Sequence, residues 1–148
     1  MGGYQTVVVG TDGSDSSLRA VERAGSLASG PDAKVIIATA YLPTPDDTHA
    51  ADQLKGEGYK MHGNAPIYDN LRDAARRAKA AGATNIEERA VVGAPVDALV
   101  ELAEEVGADL LVVGNVGLNT IAGRLLGSVP ANVARRSKTD VLIVHTAG

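Results

Sequence analysis

The sequence predicts an α/β domain built on a doubly wound, five-stranded parallel sheet with helices on both faces. Short apolar, β-branched runs recur along the chain, and segments with helical spacing of apolar residues separate them. Most of these runs lack the alternation of a half-exposed strand, as expected for strands buried on both faces. The alternation of strand and helix continues to the end of the chain, which favours right-handed crossovers within one sheet.

Composition limits the class of protein. With 148 residues the chain fits a single domain, residues 1–148, and its core must be aliphatic because Phe and Trp are absent. The net charge of -4 gives no electrostatic reason to expect a nucleic-acid partner. The absence of cysteine excludes thiol chemistry. No run is long and apolar enough to span a bilayer, and the first ten residues do not resemble a signal peptide. We therefore expect a soluble cytoplasmic domain.

The first half of the chain predicts two buried strands joined by a helix. The strands are Thr6–Gly10 and Lys34–Tyr41. Asp12-Gly13-Ser14 forms a turn, and Ser14 or Asp15 is placed to cap the helix that follows. One face of this helix is apolar and predicted to be buried; it consists of Leu18, Val21, Ala24 and Ala28.

The second half predicts three more strands and three more helices. In chain order these are a helix at Ala65–Ala81, a strand at Glu87–Val92, a helix from Pro95 to a stop at Gly107, a strand at Leu110–Val113, a helix at Val129–Arg136 and a strand at Val141–His145. Charges at the start of Glu87–Val92 favour a position near a sheet edge. Leu42–Asn64 predicts an irregular loop, and whether it covers a site is left open.

The stretch from Leu110 to Asn132 carries the clearest functional pattern. A buried strand is followed by Gly114 and Gly117, then by Gly127-Ser128, and Pro130 stands where a helix begins. Glycine lets the backbone approach an anion closely, and a helix start adds unpaired N–H donors. The pattern predicts the phosphate-binding half of a nucleotide site; the alternative is a glycine-rich connection without a ligand.

Doubly wound sheets bind ligands at the carboxyl ends of their strands, where the strand order reverses. The first and fourth predicted strands end at Gly10 and just before Gly114. If these strands are neighbours at that point, their loops face a single crevice. The last strand, Val141–His145, is short and apolar, and at an edge it would favour aggregation unless it were paired. A homodimer through this strand is therefore expected.

These features resemble the universal stress protein family. The resemblance rests on VVVGTDGSDSS at Val7–Ser17, on the spacing Gly114-x2-Gly117-x9-Gly127-Ser128 followed by Val129 and Asn132, and on the terminal VLIVH strand. It covers essentially the whole chain. It implies a Rossmann-like domain that binds ATP or another adenine nucleotide and dimerises through its last strand.

The resemblance also implies roles for individual residues. Asp12 would meet the ribose or a metal-bound phosphate, and the main chain of Ala40 would bond the adenine edge. Ribose and phosphates would be held by Gly114, Gly117, Gly127, Ser128 and Val129, and the predicted binding set is completed by Gly10, Thr11, Val116 and Arg124. We expect neither a catalytic residue nor a metal ligand from the protein.

Several of these roles have a structural alternative. Asp12 is also suited to bond the backbone of its own turn, and Ser128 to cap its helix. Arg124 is the only cation in the glycine loop, and it either reaches phosphate or faces solvent or a dimer partner. His145 ends a strand predicted to be buried, where we expect a structural role.

The glycine loop departs from the pattern of many family members because its variable positions are neutral. Asn115, Val116, Leu118 and Asn119 stand where others carry Arg, His or Lys. Such a loop compensates a triphosphate less well than a ligand with one phosphate charge, such as AMP or cyclic AMP. Some relatives with a similar loop are associated with cyclic AMP. The hypothesis is a sensor or buffer that either prefers cyclic AMP or binds it alongside ATP, with Mg²⁺ as an option for ATP.

Other functional classes are excluded by motifs that the sequence lacks. The GxxxxGK[ST] loop of P-loop ATPases is missing, as are GxGxxG after the first strand and any cysteine for redox chemistry. A phosphorelay receiver would need an Asp after the third strand and a Lys after the fifth, where this chain has Val92-Gly93 and His145-Thr146. Two alternatives stay open: slow Mg²⁺-dependent ATP hydrolysis through Asp12, and a partner-binding protein with a vestigial nucleotide site.

Overall fold

A computed structural model of the chain describes residues 4–41, 65–114, 120–121, 124–125 and 129–145. The loop predicted at Leu42–Asn64 lies outside these residues. The described elements are, in chain order, β1 Thr6–Gly10, α1 Asp15–Leu27, β2 Lys34–Tyr41, α2 Ala65–Ala80, β3 Ile86–Val92, α3 Pro95–Val106, β4 Leu110–Gly114, β5 Thr120–Ile121, β6 Arg124–Leu125, α4 Val129–Arg136 and β7 Asp140–Val144.

Five strands form one sheet in the order β3-β2-β1-β4-β7, and every neighbouring pair is parallel. From β1 the chain runs outward through β2 to β3 and then returns to β4 on the other side of β1. The strand order therefore reverses between β1 and β4. The predicted doubly wound sheet is confirmed, as is the edge position of β3. Two conditions left open in the sequence are also met: β1 and β4 are neighbours, and the last strand lies at an edge.

The sheet is buried on both faces by separate aliphatic clusters. Val7 and Val9 pack with residues of α1 and α2, whereas Val8 packs with residues of α3 and α4. Successive side chains of a strand point to opposite faces, so β1 contributes to both clusters. All three valines are fully buried. Burial on both faces is the reason why the central residues of β1, β2 and β4 are almost all apolar.

The helices begin and end where local chemistry permits. Ser14 is the N-cap of α1, and its hydroxyl accepts a hydrogen bond from the Ser17 N–H at 3.2 Å. Pro95 occupies the first turn of α3, where its missing N–H leaves no bond unmade. Gly107 ends α3 in the left-handed region, with a φ of 68°, which glycine adopts without steric cost.

Helices α1 and α2 approach each other closely at Gly25. A Cβ atom at this position would lie 2.6 Å from the carbonyl oxygen of Ala78 and 2.9 Å from its Cα. Real Cβ atoms essentially never come so close to other heavy atoms. Glycine at this position therefore allows the backbones of α1 and α2 to pack in direct contact.

Five boundaries, in four elements, differ by one residue from the sequence prediction. Helix α2 ends at Ala80 rather than Ala81, β3 begins at Ile86, β4 extends to Gly114, and the last strand is Asp140–Val144 instead of Val141–His145. Strand ends are set by pairing with the neighbouring strand, which a local pattern does not contain: Ile86 pairs with Val35, and Asp140 pairs with Leu110. The short antiparallel pair β5–β6 was not predicted.

Candidate functional site

The site is built where β1, β2 and β4 end. Val9 lies opposite Val112 in the ladder between β1 and β4, so Gly10 and Gly114 end adjacent strands at the same edge of the sheet. On the other side of β1, Gly10 pairs with Ala38, two residues before Ala40. The fold thus brings three predicted site residues, Gly10, Ala40 and Gly114, together at the carboxyl ends of the strands.

The turn after β1 is tightly hydrogen bonded. The Thr11 N–H donates to the Ala38 carbonyl at 2.9 Å, which extends the contact between β1 and β2 by one residue. Asp12 is exposed, and its Oδ1 accepts from the Ser14 N–H at 2.9 Å. Asp12 therefore stabilises its own turn, as the structural alternative proposed. A carboxylate has two oxygens and several lone pairs, so this bond leaves it able to accept a hydrogen bond from a ligand.

The same turn contains Gly13, and Asn70 of helix α2 packs against it. Gly13 has a φ of +85°, a conformation that residues with a Cβ rarely adopt. The side-chain amide of Asn70, on α2, lies against it: a Cβ at Gly13 would be 2.7 Å from the amide nitrogen. Helix α2 thus contributes a polar group beside the Asp12 turn, and no local pattern around Asn70 predicts this contact.

Two further polar residues of the site were missed in the sequence. Ser17 and Thr39 are buried, and both bond to the turn: the Ser17 hydroxyl lies 2.8 Å from that of Thr11, and the Thr39 hydroxyl donates to the Thr11 carbonyl at 3.0 Å. The available signal was the hydroxyl of Thr39 within the otherwise apolar run VIIATA of β2. That signal indicates a buried hydrogen bond but not its partner.

The charged clusters that shift pKa values in the described part of the chain lie away from these strand ends. Arg89 and Lys34 lower the pKa of Glu87, with contacts of 2.6 Å each, and these three residues lie on β3 and at the start of β2. A hydrogen bond to Asp140 raises the pKa of Tyr4, which precedes β1 at the opposite end of the sheet. These contacts stabilise the sheet and do not form part of the site.

The remaining predicted residues fall partly outside the description. Val129 begins α4, and Arg124 is paired with Ile121 through the β5–β6 ladder. Val116, Gly117, Gly127 and Ser128 lie outside the described residues, so their roles stay predictions.

His145 is exposed directly after β7, and β7 is itself only partly buried, so the prediction that His145 ends a buried strand was wrong. The physical reason is that β7 is an edge strand. Alternate residues on such a strand share one side, and Ile143, two residues earlier, is also exposed.

The described residues contain neither a candidate metal site nor a candidate membrane-spanning helix. In the parts of the chain that the structure covers, no three His, Cys, Asp or Glu side chains are grouped so that they would hold a metal ion. Over the same residues, no helix is long and apolar enough to cross a membrane.

Comparison with known proteins finds relatives along nearly the whole chain. The model of the universal stress protein family matches residues 3–145. The universal stress protein Rv1636 of Mycobacterium tuberculosis H37Rv is 71% identical over 146 residues, which cover 99% of each chain.

Solved structures show the same similarity. A crystal structure of a universal stress protein in complex with cAMP is 72% identical, covers 98% of this chain and 99% of that one, and superposes with a TM-score of 0.77. The universal stress protein of Archaeoglobus fulgidus in complex with dAMP is 22% identical, with a TM-score of 0.68 over 95% of this chain and 98% of its own. At that identity the likeness supports the fold alone.

Proposed function

This chain belongs to the universal stress protein family, and from that premise we propose that it binds an adenine nucleotide, cyclic AMP above all, as a sensor or buffer. The observation that carries the proposal is the strand order. It sets β1 and β4 side by side where the order reverses, which is where doubly wound sheets bind ligands. The complex of a 72% identical relative with cAMP supports the choice of ligand.

The described residues suit the parts of such a ligand. In the proposal, main-chain groups of Ala40, at the end of β2, bond the adenine edge. The exposed carboxylate of Asp12 accepts a hydrogen bond from a ribose hydroxyl and keeps its bond to Ser14. The backbone at Gly10, Thr11 and Gly114 lines the crevice. Within the same proposal, the phosphate is bound by Val116, Gly117, Arg124, Gly127, Ser128 and Val129.

The charge of the site favours cyclic AMP over ATP. Asp12 adds a negative charge beside the ligand, and the glycine loop supplies a single arginine. A triphosphate brings several negative charges into this environment, so ATP requires a bound Mg²⁺ to offset the repulsion. Cyclic AMP carries one charge and has no such requirement. We propose that the protein is a binding protein rather than an enzyme.

The proposal extends to assembly and location. Strand β7 lies at the sheet edge, where its unpaired backbone groups can pair with another strand, and Ile143 on it is 42% exposed. We propose a homodimer in which this strand, with His145, meets a second copy. The chain forms one domain over residues 1–148 and works in the cytoplasm.

Calorimetry of nucleotide-free protein against cyclic AMP and against Mg-ATP tests the function. Cyclic AMP is expected to bind more tightly, and Asp12→Ala to weaken its binding about tenfold, as expected for one lost hydrogen bond to a charged group. Asp15→Ala is the matched control, because it removes an exposed acid from the adjoining first turn of α1. Tighter binding of Mg-ATP would refute the preference. Steady phosphate release from ATP that disappears in Asp12→Ala would support the ATPase alternative.

A further inference from the structure

Three buried hydroxyl groups join β1, β2 and α1 beneath the Asp12 turn. The residues are Thr11, Ser17 and Thr39, which are 1%, 0% and 7% exposed. Their surroundings are mostly aliphatic, and a buried hydroxyl is costly unless it is hydrogen bonded. Each of the three has a partner, and the partners converge on one short piece of backbone.

Ser17 holds the turn from the side of the helix. Its hydroxyl accepts from the Asp12 N–H at 3.3 Å, lies 2.8 Å from the Thr11 hydroxyl, and donates to the Ser14 carbonyl at 3.0 Å. The Thr11 hydroxyl in turn accepts from the Gly13 N–H at 3.1 Å. With Thr11 donating to Ser17, every hydroxyl proton in this chain of bonds is used once.

Thr39 holds the turn from the side of the sheet. Its hydroxyl donates to the Thr11 carbonyl at 3.0 Å in a buried bond. The preceding residue, Ala38, accepts from the Thr11 N–H at 2.9 Å. Ala38 and Thr39, the two residues of β2 before Ala40, therefore bond the N–H and the carbonyl of Thr11.

The two sets of bonds meet on a single peptide group. The carbonyl of the Thr11–Asp12 peptide is bonded by Thr39, and its N–H is bonded by Ser17. A peptide group is planar, so fixing both of its polar ends fixes its orientation and the position of the Asp12 Cα. The bond from the Gly13 N–H to the Thr11 hydroxyl holds the next peptide, so the backbone is restrained on both sides of Asp12. The cap of α1 is the bond from the Ser17 N–H to the Ser14 hydroxyl, and it uses neither the Thr39 hydroxyl nor the Asp12 N–H. The hydroxyls of Ser14 and Ser17 also lie 3.3 Å apart.

We propose that Thr39 and Ser17 are positioning residues that hold the Asp12 carboxylate at a set distance from the end of β2. This inference rests on the proposed function, in which Ala40 meets the adenine and Asp12 the ribose. The ribose of cyclic AMP retains one free hydroxyl, the 2′-hydroxyl. A carboxylate held in this way accepts a hydrogen bond from that hydroxyl. The hydroxyls of Thr39 and Ser17 thus set how strongly the site favours a ribonucleotide over its 2′-deoxy analogue.

Calorimetric titration with cyclic AMP and 2′-deoxy cyclic AMP tests the proposal on the full chain. Thr39→Val keeps the side-chain shape and removes the hydroxyl, whereas Thr39→Ser keeps the hydroxyl. Thr139→Val is the matched control, since the Thr139 hydroxyl also donates to a backbone carbonyl, that of Ala108 at 2.9 Å, at the opposite end of the sheet.

Thr39→Val is expected to weaken cyclic AMP binding about five- to tenfold and binding of the 2′-deoxy analogue by less than about twofold, because one net hydrogen bond is at stake. Thr39→Ser and Thr139→Val should bind both ligands as the wild type does. Ser17→Ala is expected to speed hydrogen exchange at the Asp12 and Gly13 amides in nucleotide-free protein, a readout that needs no ligand.

Equal losses for both ligands in Thr39→Val, or an affinity equal to that of Thr139→Val, would overturn the positioning role. Unchanged amide exchange in Ser17→Ala would overturn it for that residue. Wild-type protein that binds neither nucleotide would refute the proposed function together with this inference. Tight wild-type binding that Thr39→Val leaves intact would refute the inference alone.

Discussion

Replacing Gly25 by alanine tests how closely α1 and α2 pack. The added Cβ would lie 2.6 Å from the Ala78 carbonyl oxygen and 2.9 Å from its Cα. Both are backbone atoms of a helix, so no rotamer change can relieve the contact. The variant can therefore fold only if the two helices move apart.

Two effects of opposite sign determine the size of the change. Alanine is favoured over glycine in a helix interior by about 1 kcal/mol. Overpacking a well-packed core costs about 1–3 kcal/mol, and a contact with rigid backbone belongs at the upper end of that range. We expect a net loss of about 2 kcal/mol in the free energy of unfolding, because the steric cost exceeds the gain in helix propensity. For a chain of this length that loss lowers Tm by about 4–8 °C.

Thermal and urea unfolding followed by circular dichroism measure this loss. Ser26→Ala is the control, since Ser26 is exposed on the same helix and its replacement changes helix propensity without a steric contact. We expect this control to be as stable as the wild type or slightly more so. A Tm for Gly25→Ala at or above the wild-type value would refute the close packing of α1 on α2.

The turn at Gly13 and the charged cluster on β3 give two further predictions. Gly13→Ala should weaken both folding and nucleotide binding, because a φ of +85° costs an L-residue about 1–2 kcal/mol and the Cβ meets Asn70. In calorimetry the double variant Gly13→Ala/Asn70→Ala should recover only the part of the lost affinity that comes from the contact with Asn70. Full recovery would contradict the backbone strain at residue 13. At the β3 cluster, Arg89 and Lys34 lower the pKa of Glu87 from 4.5. Their stabilising effect is present above that pH and is lost as the pH falls through the lowered pKa. Urea unfolding should therefore show that Glu87→Gln costs stability near neutral pH and loses less on acidification, and identical acid slopes for the two proteins would contradict this.

The sequence determined much of the secondary structure. The bounds of β1, β2 and α4 are those predicted, because each is delimited by local signals: an apolar run ending in glycine, a run between turn residues, and a proline in a first turn. Boundaries without such a signal were displaced by one residue, as at Ile86 and Asp140, because pairing with a neighbouring strand sets them.

The site was predictable as a place rather than as a set of contacts. Gly10 and Gly114 were assigned to one crevice because glycine after a buried strand is a local pattern, and the strand order confirmed that the two strands are neighbours. Asp12 was predicted as a site residue, with a bond to the backbone of its own turn as the alternative, and the structure shows that bond, from the Ser14 N–H. Asn70 was not expected, since nothing in its own segment indicates that it lies against Gly13.

Sequence alone determined the fold class, the order of the elements and the edge of the sheet where a ligand would bind, because hydrophobic periodicity and turn chemistry act over a few residues. The tertiary structure decided what Ser17 and Thr39 do. The Thr39 hydroxyl reaches a carbonyl 28 residues earlier in the chain, and only the register of β1 against β2 brings the two together. A hydroxyl in an apolar run shows that a partner must exist, and the packed sheet determines which residue that partner is.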